Sequence, residues 1–341
     1  MKKIRVLVVD DSKVFQQVIA TGLSSDNSIE VVATAKDPYE ARDMIIEHEP
    51  DVMTCDVEMP KMNGIEFIRK LMPQHPLPVV VVSSVNQAVF DAMDAGAVEF
   101  VVKPDAQTIT GVESFINELI IKVKIASTAK VSHWKAIGHA STAVLTANKM
   151  DDRCKKIIAI GASTGGTEAV FEILKRMPGN SPGMVIVQHI PPVFSRMFAE
   201  RLNSTTQLYV KEACTGDYLD CGKVLIAPGD AHLRLKKIGD RYKVECFQGE
   251  RMNGHCPSVD VLFESVAKEA GSEAIGVILT GMGYDGAKGL LSMRRKGART
   301  IGQDEKSCVV YGMPKVAFDI GGVERQAPLG EIATTIVSFL R

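Results

Sequence analysis

The sequence predicts two α/β domains in tandem: a five-stranded parallel sheet flanked by helices, joined to a larger, three-layer, mostly parallel doubly wound unit. Three observations predict it. Short apolar runs alternate with helical patterns five times between Ile4 and about Ala126. A second series of apolar runs begins near Ile157, and its members end in polar residues beside glycine or proline. Between the two series, Ser127 to Arg153 is rich in Ser, Thr, Ala and Lys, with apolar residues too scattered to form a core face. The expected division is 1–126, a linker over 127–153, and 154–341.

A chain of 341 residues suits two domains and a sizeable core. A formal net charge of −1 gives no electrostatic footprint for nucleic acid or an anionic membrane. No run approaches the length of a membrane span, so no membrane insertion is expected, and Met1-Lys2-Lys3 leads into a strand rather than a signal peptide. The seven cysteines are scattered, with neither zinc spacing nor a disulfide framework. Cys55, Cys214, Cys246 and Cys308 mostly have apolar neighbours, where a thiol acts as a small hydrophobe. A cytoplasmic protein is expected.

In the first domain the apolar runs are Ile4–Asp10, Ile29–Ala35, Val52–Asp56, Val79–Ser83 and Glu99–Lys103. In open parallel sheets functional residues lie at the carboxyl ends of strands. There stand Asp10 and Asp11 after the first run, Asp56 on the third, Ser83 on the fourth and Lys103 on the fifth. Crowded carboxylates repel unless a cation sits among them, and hard oxygen donors with open positions suit Mg²⁺. Asp56 is then placed to attack a phosphoryl donor, with Mg²⁺ and Lys103 stabilising its oxygens and Ser83 donating a hydrogen bond. Any one of these acids alone reads as a solvated loop residue or a cap, and Ser12 suits the cap of the helix containing Val14, Phe15, Val18 and Ile19. Their joint placement argues for chemistry.

Over about 125 residues this domain resembles the receiver domain of two-component response regulators. The resemblance rests on Asp10-Asp11-Ser12, Asp56-Val57-Glu58-Met59-Pro60, Asn63-Gly64, Ser83, Ala95-Gly96-Ala97 and Lys103-Pro104. It implies a flavodoxin-like strand order 2-1-3-4-5. It also implies Asp56 as phospho-acceptor, Mg²⁺ held by Asp11, Asp56 and the Glu58 carbonyl, Asp10 assisting through water, and Ser83 and Phe100 as switch positions. In the linker, His133 and His139 lack a third ligand at suitable spacing, and Trp134 is expected to pack on a flanking domain.

The second domain opens on Ile157–Ala162, followed by Ser163 between Gly161 and Gly165. This G-x-S-x-G form lifts a serine hydroxyl out of a sheet on a sharp strand-to-helix turn. A dinucleotide fingerprint needs glycine where Ser163 stands, and no Gly-Lys-Ser/Thr follows for a P-loop. A next run, Met184–Gln188, ends in His189-Ile190-Pro191-Pro192. Another, Ala274–Thr280, ends in Gly281-Met282-Gly283-Tyr284-Asp285-Gly286. Strand ends thus offer Ser, His and Asp, the set that acyl transfer needs: nucleophile, base and orienter of the base. The order Ser…His…Asp differs from that of α/β-hydrolases. His232 and His255 compete with His189 as base, and Asp285 also reads as a helix cap. Leu208–Ala213, Leu225–Ala227, His232–Leu235 and Val244–Phe247 look like short strands that include a hairpin.

With Gly161–Gly166, Gln188-His189, Thr280–Gly286 and Tyr311-Gly312-Met313-Pro314 in view, the whole chain outside the linker resembles the CheB family of chemotaxis protein-glutamate methylesterases. The resemblance implies Ser163 as nucleophile, His189 as base, Asp285 as orienter, and Met282 and Thr164 beside the oxyanion. It implies methyl-accepting chemoreceptors as substrate, glutamine deamidation as a second reaction, a chemotaxis histidine kinase as phosphodonor, and no cofactor for the esterase step. It further implies that the unphosphorylated receiver covers the esterase cleft. One departure stands out: where the family often reads Asn-Arg-His-Arg-Pro-Ser, this chain has Asn253-Gly254-His255-Cys256-Pro257-Ser258, so two positive charges are missing from a loop expected to bear on receptor affinity or choice. The rival readings are a regulator whose output domain only binds a partner, and a general small-ester hydrolase.

Overall fold

The computed structural model describes residues 2–84, 88–104, 109–131 and 156–340. These fall into two compact units, one within residues 1–138 and the other within 139–341. His133, Trp134 and His139 lie outside the described residues.

The first unit alternates strand and helix throughout: β1 (Ile4–Val9), α1 (Lys13–Ser24), β2 (Ile29–Ala35), α2 (Pro38–His48), β3 (Val52–Asp56), α3 (Gly64–Leu71), β4 (Val79–Ser83), α4 (Ala88–Ala95), β5 (Glu99–Val102) and α5 (Ile109–Ala126). Its five strands pair in parallel in the order β2-β1-β3-β4-β5, the flavodoxin-like order expected. Strands β3 and β4 are buried along their whole length, as continuous apolar runs covered on both faces must be. Ser12 caps α1 by accepting from Phe15 N, and Asn63 caps α3 by accepting from Glu66 N. Gly64 follows Asn63 for a steric reason. A Cβ there would come within 2.0 Å of the Asp56 carbonyl oxygen.

The second unit comprises β6 (Ile157–Ala162), α6 (Gly166–Leu174), β7 (Gly183–Gln188), α7 (Pro192–Thr205), β8 (Tyr209–Glu212), β9 (Lys223–Ile226), β10 (His232–Ile238), β11 (Arg241–Phe247), α8 (Val259–Glu269), β12 (Ala274–Ile278), α9 (Ala287–Arg295), β13 (Arg299–Gln303), α10 (Met313–Asp319), β14 (Arg325–Ala327) and α11 (Leu329–Phe339). Seven strands form one wholly parallel sheet in the order β14-β13-β12-β6-β7-β9-β8. The expected hairpin is β10–β11, an antiparallel pair outside this sheet. The core joins β6, β7, β9 and β12 to α8 and α9 through Ile157, Val185, Leu225, Ile278, Phe263 and Leu290. From β6 the chain winds one way to β7 and the other way to β12, so the sheet's switch point lies at β6.

The cysteines depart from expectation in two respects. Cys214 is exposed, and Cys221 is disulfide-bonded, whereas Cys55, Cys214, Cys246, Cys256 and Cys308 are free thiols. Cys214 sits just after β8, the edge strand of the sheet. Among the described residues, no helix is long and apolar enough to cross a membrane.

Candidate active site

Ser163, His189 and Asp285 all stand at the carboxyl end of the second sheet, on the central strand and its two neighbours. Register brings Ser163 and His189 side by side, because Ala162 on β6 pairs with Gln188 on β7. His189 N donates to Ala162 O (3.2 Å), and Gln188 Nε2 donates to Ser163 O (2.8 Å). On the other side Ser163 N donates to Thr280 O (3.0 Å), just beyond β12. The serine turn is closed by Gly166 N donating to Ser163 O (2.7 Å), with Gly165 at φ +74°. Gly281 approaches so closely that a Cβ there would lie 2.6 Å from Ser163 Cβ and 2.5 Å from Met313 Sδ. The Tyr311–Pro314 segment backs this approach, since Gly312 N and Met313 N both donate to Gly281 O.

His189 Nε2 lies 3.0 Å from Asp285 Oδ2. Its Nδ1 is buried and makes no hydrogen bond. The nitrogen facing the carboxylate is therefore Nε2, the reverse of the template in which Nδ1–H does so, and the nitrogen outside that pairing is Nδ1. The rings of His189 and His255 stack, with centroids 3.7 Å apart.

Asp285 does cap a helix, but not the one it precedes. Gly286 stands at the N-terminus of α9 without a side-chain cap. The Asp285 carboxylate instead sits at the N-terminus of α8, where Oδ2 accepts from Val259 N (2.7 Å) and Oδ1 from Asp260 N (3.3 Å) and Ser258 Oγ (2.8 Å). Asn253 Nδ2 also donates to Oδ1 (2.8 Å). Burial alone would push this carboxyl up, yet the donors from His189, Asn253 and the helix backbone hold it well below its ordinary range. An ionised carboxylate is thereby kept at a position almost closed to solvent.

Of the competing bases, His232 is fully engaged. Its Nε2 lies 2.8 Å from Glu250 O and its Nδ1 accepts from Ser258 N (3.2 Å), which leaves no lone pair for a substrate. Thr164 is buried, and its carbonyl accepts from Thr280 Oγ1 (3.0 Å); the Met282 side chain is exposed. Ser258 and Asn253 stand in the sequence only within the loop that departs from the family pattern, and neither they nor Asp260 carried an expected role. The signal was present in Ser258 ahead of an apolar helical run, a cap pattern whose recipient is remote in sequence.

In the first unit, Asp10, Asp11 and Asp56 bring carboxylate oxygens within 4.8 Å of one another. Asp10 and Asp56 are buried, whereas Asp11 is exposed. Lys103 Nζ lies 2.6 Å from Asp56 Oδ2 and 2.8 Å from Asp10 Oδ2. Burial pushes the Asp56 carboxyl up and the Lys103 pairing opposes it. Hard oxygen donors with one side open to solvent fit Mg²⁺, which keeps water and phosphate oxygens in its shell. Glu58 N donates to Asp56 Oδ1 (3.3 Å), and Ser83 and Phe100 are buried on β4 and β5.

This geometry defines a class: a hydrolase unit with a Ser, His and Asp at a sheet switch point, in one chain with a receiver. The comparisons agree. Residues 158–336 match the CheB methylesterase family and residues 6–112 the response regulator receiver domain. The chain belongs to the CheB methylesterase family. It is similar to "Protein-glutamate methylesterase/protein-glutamine glutaminase 2" of Syntrophomonas wolfei, 54% identical over 100% of this chain and 98% of that protein. The protein-glutamate methylesterase/protein-glutamine glutaminase of Salmonella typhimurium is 46% identical over 99% of this chain and 97% of its own. The crystal structure of the Thermotoga maritima CheB methylesterase catalytic domain matches at TM-score 0.53 and 38% identity, over 54% of this chain and 97% of that one.

Proposed function

We propose that this enzyme hydrolyses γ-glutamyl methyl esters on methyl-accepting chemoreceptors and deamidates receptor glutamines, under control of phosphorylation at Asp56. The observation that carries the reading is the His189–Asp285 pair beside Ser163. Ser163 Oγ attacks the glutamyl carbonyl as His189 Nδ1 takes its proton. That proton goes to the leaving methoxide, so methanol departs and a glutamyl–Ser163 ester remains. Water, deprotonated by the same nitrogen, opens the ester to give glutamate and free serine. With a glutamine substrate the leaving group is ammonia. Asp285 holds the ring and stabilises the imidazolium, while the backbone of Met282 and Thr164 lies beside the oxyanion.

The receiver is assigned to residues 1–126, the linker to 127–153 and the esterase to 154–341. A chemotaxis histidine kinase supplies the phosphoryl group. Asp11, Asp56 and the Glu58 carbonyl would hold Mg²⁺, with Asp10 acting through water, and the ion supplies charge neutralisation at the phosphoryl oxygens. Lys103 remains on the acceptor, and Ser83 and Phe100 respond to its state. The enzyme works in the cytoplasm and resets receptors during adaptation. The test is methanol released from methyl-labelled receptor membranes, with and without a small phosphodonor. No release from either sample would overturn the reading.

A further inference from the structure

Asn253 stands between two buried carboxylates. Its Nδ2 donates to Asp285 Oδ1 and to Asp260 Oδ2, each at 2.8 Å. An amide NH₂ carries two protons, one for each acceptor, and no charge. A hydroxyl at this place would serve only one carboxylate, and a third carboxylate would add repulsion. The crowding is real: burial and the neighbouring Asp285 charge push the Asp260 carboxyl up.

The other end of this arrangement is tied to the frame. Asp260 lies in the first turn of α8, and its Oδ1 accepts from Gly289 N of α9 (2.7 Å). The two helices meet closely there, since a Cβ on Gly289 would lie 2.6 Å from Phe263 Cβ. Asn253 is presented on a tight reversal, Met252 N donating to His255 O (3.0 Å) and His255 N to Met252 O (2.9 Å). Both central residues have positive φ, +54° at Asn253 and +84° at Gly254. Asn-Gly is the pair that favours such turns. Gly254 thus eases the turn that delivers the amide.

We infer that Asn253 is a positioning residue for the triad, which carries the fixed geometry of the α8–α9 contact to Asp285 through Asp260. It rests on the esterase reading above. With Ser258, Asn253 holds Oδ1, so that Oδ2 faces His189 Nε2. Losing the amide leaves Oδ1 held only by Ser258 Oγ and the longer contact from Asp260 N, which loosens the carboxylate and makes it a stronger acceptor for the imidazolium.

The test uses the full chain. Asn253→Gly keeps the left-handed backbone without strain and deletes the amide; Asn253→Asp keeps the shape and adds a carboxylate. Each is expected to lower kcat about 10- to 100-fold, the scale for groups that orient catalytic ligands, with KM little changed. The acid limb of the pH–kcat profile should move, and the downfield proton resonance of the His189–Asp285 hydrogen bond should shift or broaden. Asp260→Asn should act in the same direction, and should cost little more in the Asn253→Gly background. Wild-type kcat with an unmoved resonance in Asn253→Gly, or additive losses in the double variant, would overturn the inference. If Asn253→Gly fails to fold, the same measurements on Asn253→Asp decide it. Activity retained by Ser163→Ala would strike the esterase reading instead, and the resonance would still decide this one.

Discussion

His255 lies flat on His189, with ring centroids 3.7 Å apart and planes within 8°. The stack closes one face of the His189 imidazole and fixes its plane, so that Nε2 points at Asp285. Aromatic pairs contribute about 0.5–1.5 kcal/mol beyond their burial. On that scale His255→Ala is expected to lower kcat by about 2- to 10-fold, and His255→Phe, which keeps a flat ring, should retain most of the activity. Methanol release by the two variants checks this. If phenylalanine is as damaging as alanine, the imidazole of His255 takes part in the chemistry and returns as a rival base.

Ser163→Ala should stop methanol release while Asp56 still accepts a phosphoryl group. Asp285→Asn should fold but lose about 10⁴-fold in kcat, the scale for an orienting aspartate. Near-normal activity in Ser163→Ala would remove the acyl-enzyme.

Much of this site was legible because parallel sheets gather chemistry at strand ends, and the runs ending at Asp56, Ser163 and His189 are sharply bounded. Asp285 was found the same way, although its cap role was assigned to the nearer helix. The contribution of Asn253 was not legible. It depends on an amide reaching carboxylates 7 and 32 residues away, which no local pattern encodes. His232 looked available as a base because its partners, Glu250 O and Ser258 N, are defined only by folding. The edge strand β14 spans three residues, two of them exposed, and so left no apolar run to read.

Asp285 should leave a mark on stability as a function of pH. Its carboxyl is held below the ordinary 3.8 in the folded chain. It therefore binds a proton more weakly folded than unfolded, and its stabilising effect is complete above the unfolded value. That effect is lost as pH falls from the unfolded value through the folded one. The stability gap between wild type and Asp285→Asn, read by urea unfolding, should be steady from about pH 5 to 7 and shrink below about pH 4. A gap that stays constant to about pH 3 would mean that its charge is not what the surrounding donors stabilise.

Asp56 should be the acceptor and should need the ion. Chelation is expected to block labelling by a small phosphodonor, and excess Mg²⁺ should restore it. Asp56→Asn should not label, since an amide is a poor nucleophile. Lys103→Ala removes the cation 2.6 Å from Asp56 and should slow labelling without moving it. Stable labelling of Asp56→Asn at an unchanged rate would put the acceptor elsewhere.

The two chemistries in one chain make sense if the state of Asp56 controls access to Ser163. Phosphorylation replaces the single charge of the Asp56 carboxylate with a phosphoryl group carrying nearly two, and sets three acceptor oxygens beside Lys103, which now pairs with Asp56 and Asp10. Ser83, on the strand next to Asp56, can donate to the new oxygens, and Phe100 on the following strand can repack. Surfaces between domains are modest and polar, so a shift of about 1–3 kcal/mol in such a contact changes an open fraction several-fold or more. The expectation is that the unphosphorylated receiver covers the esterase cleft. A fragment beginning at residue 149 should then release methanol faster than the unphosphorylated full chain, and a phosphodonor should close much of that gap for the full chain alone. Asp56→Asn in the full chain should stay slow with or without the donor. Rates are compared on the same receptor membranes at equal enzyme concentration. If the fragment is no faster than the unphosphorylated chain, covering is wrong, and phosphorylation must instead act by improving the site or its hold on the receptor.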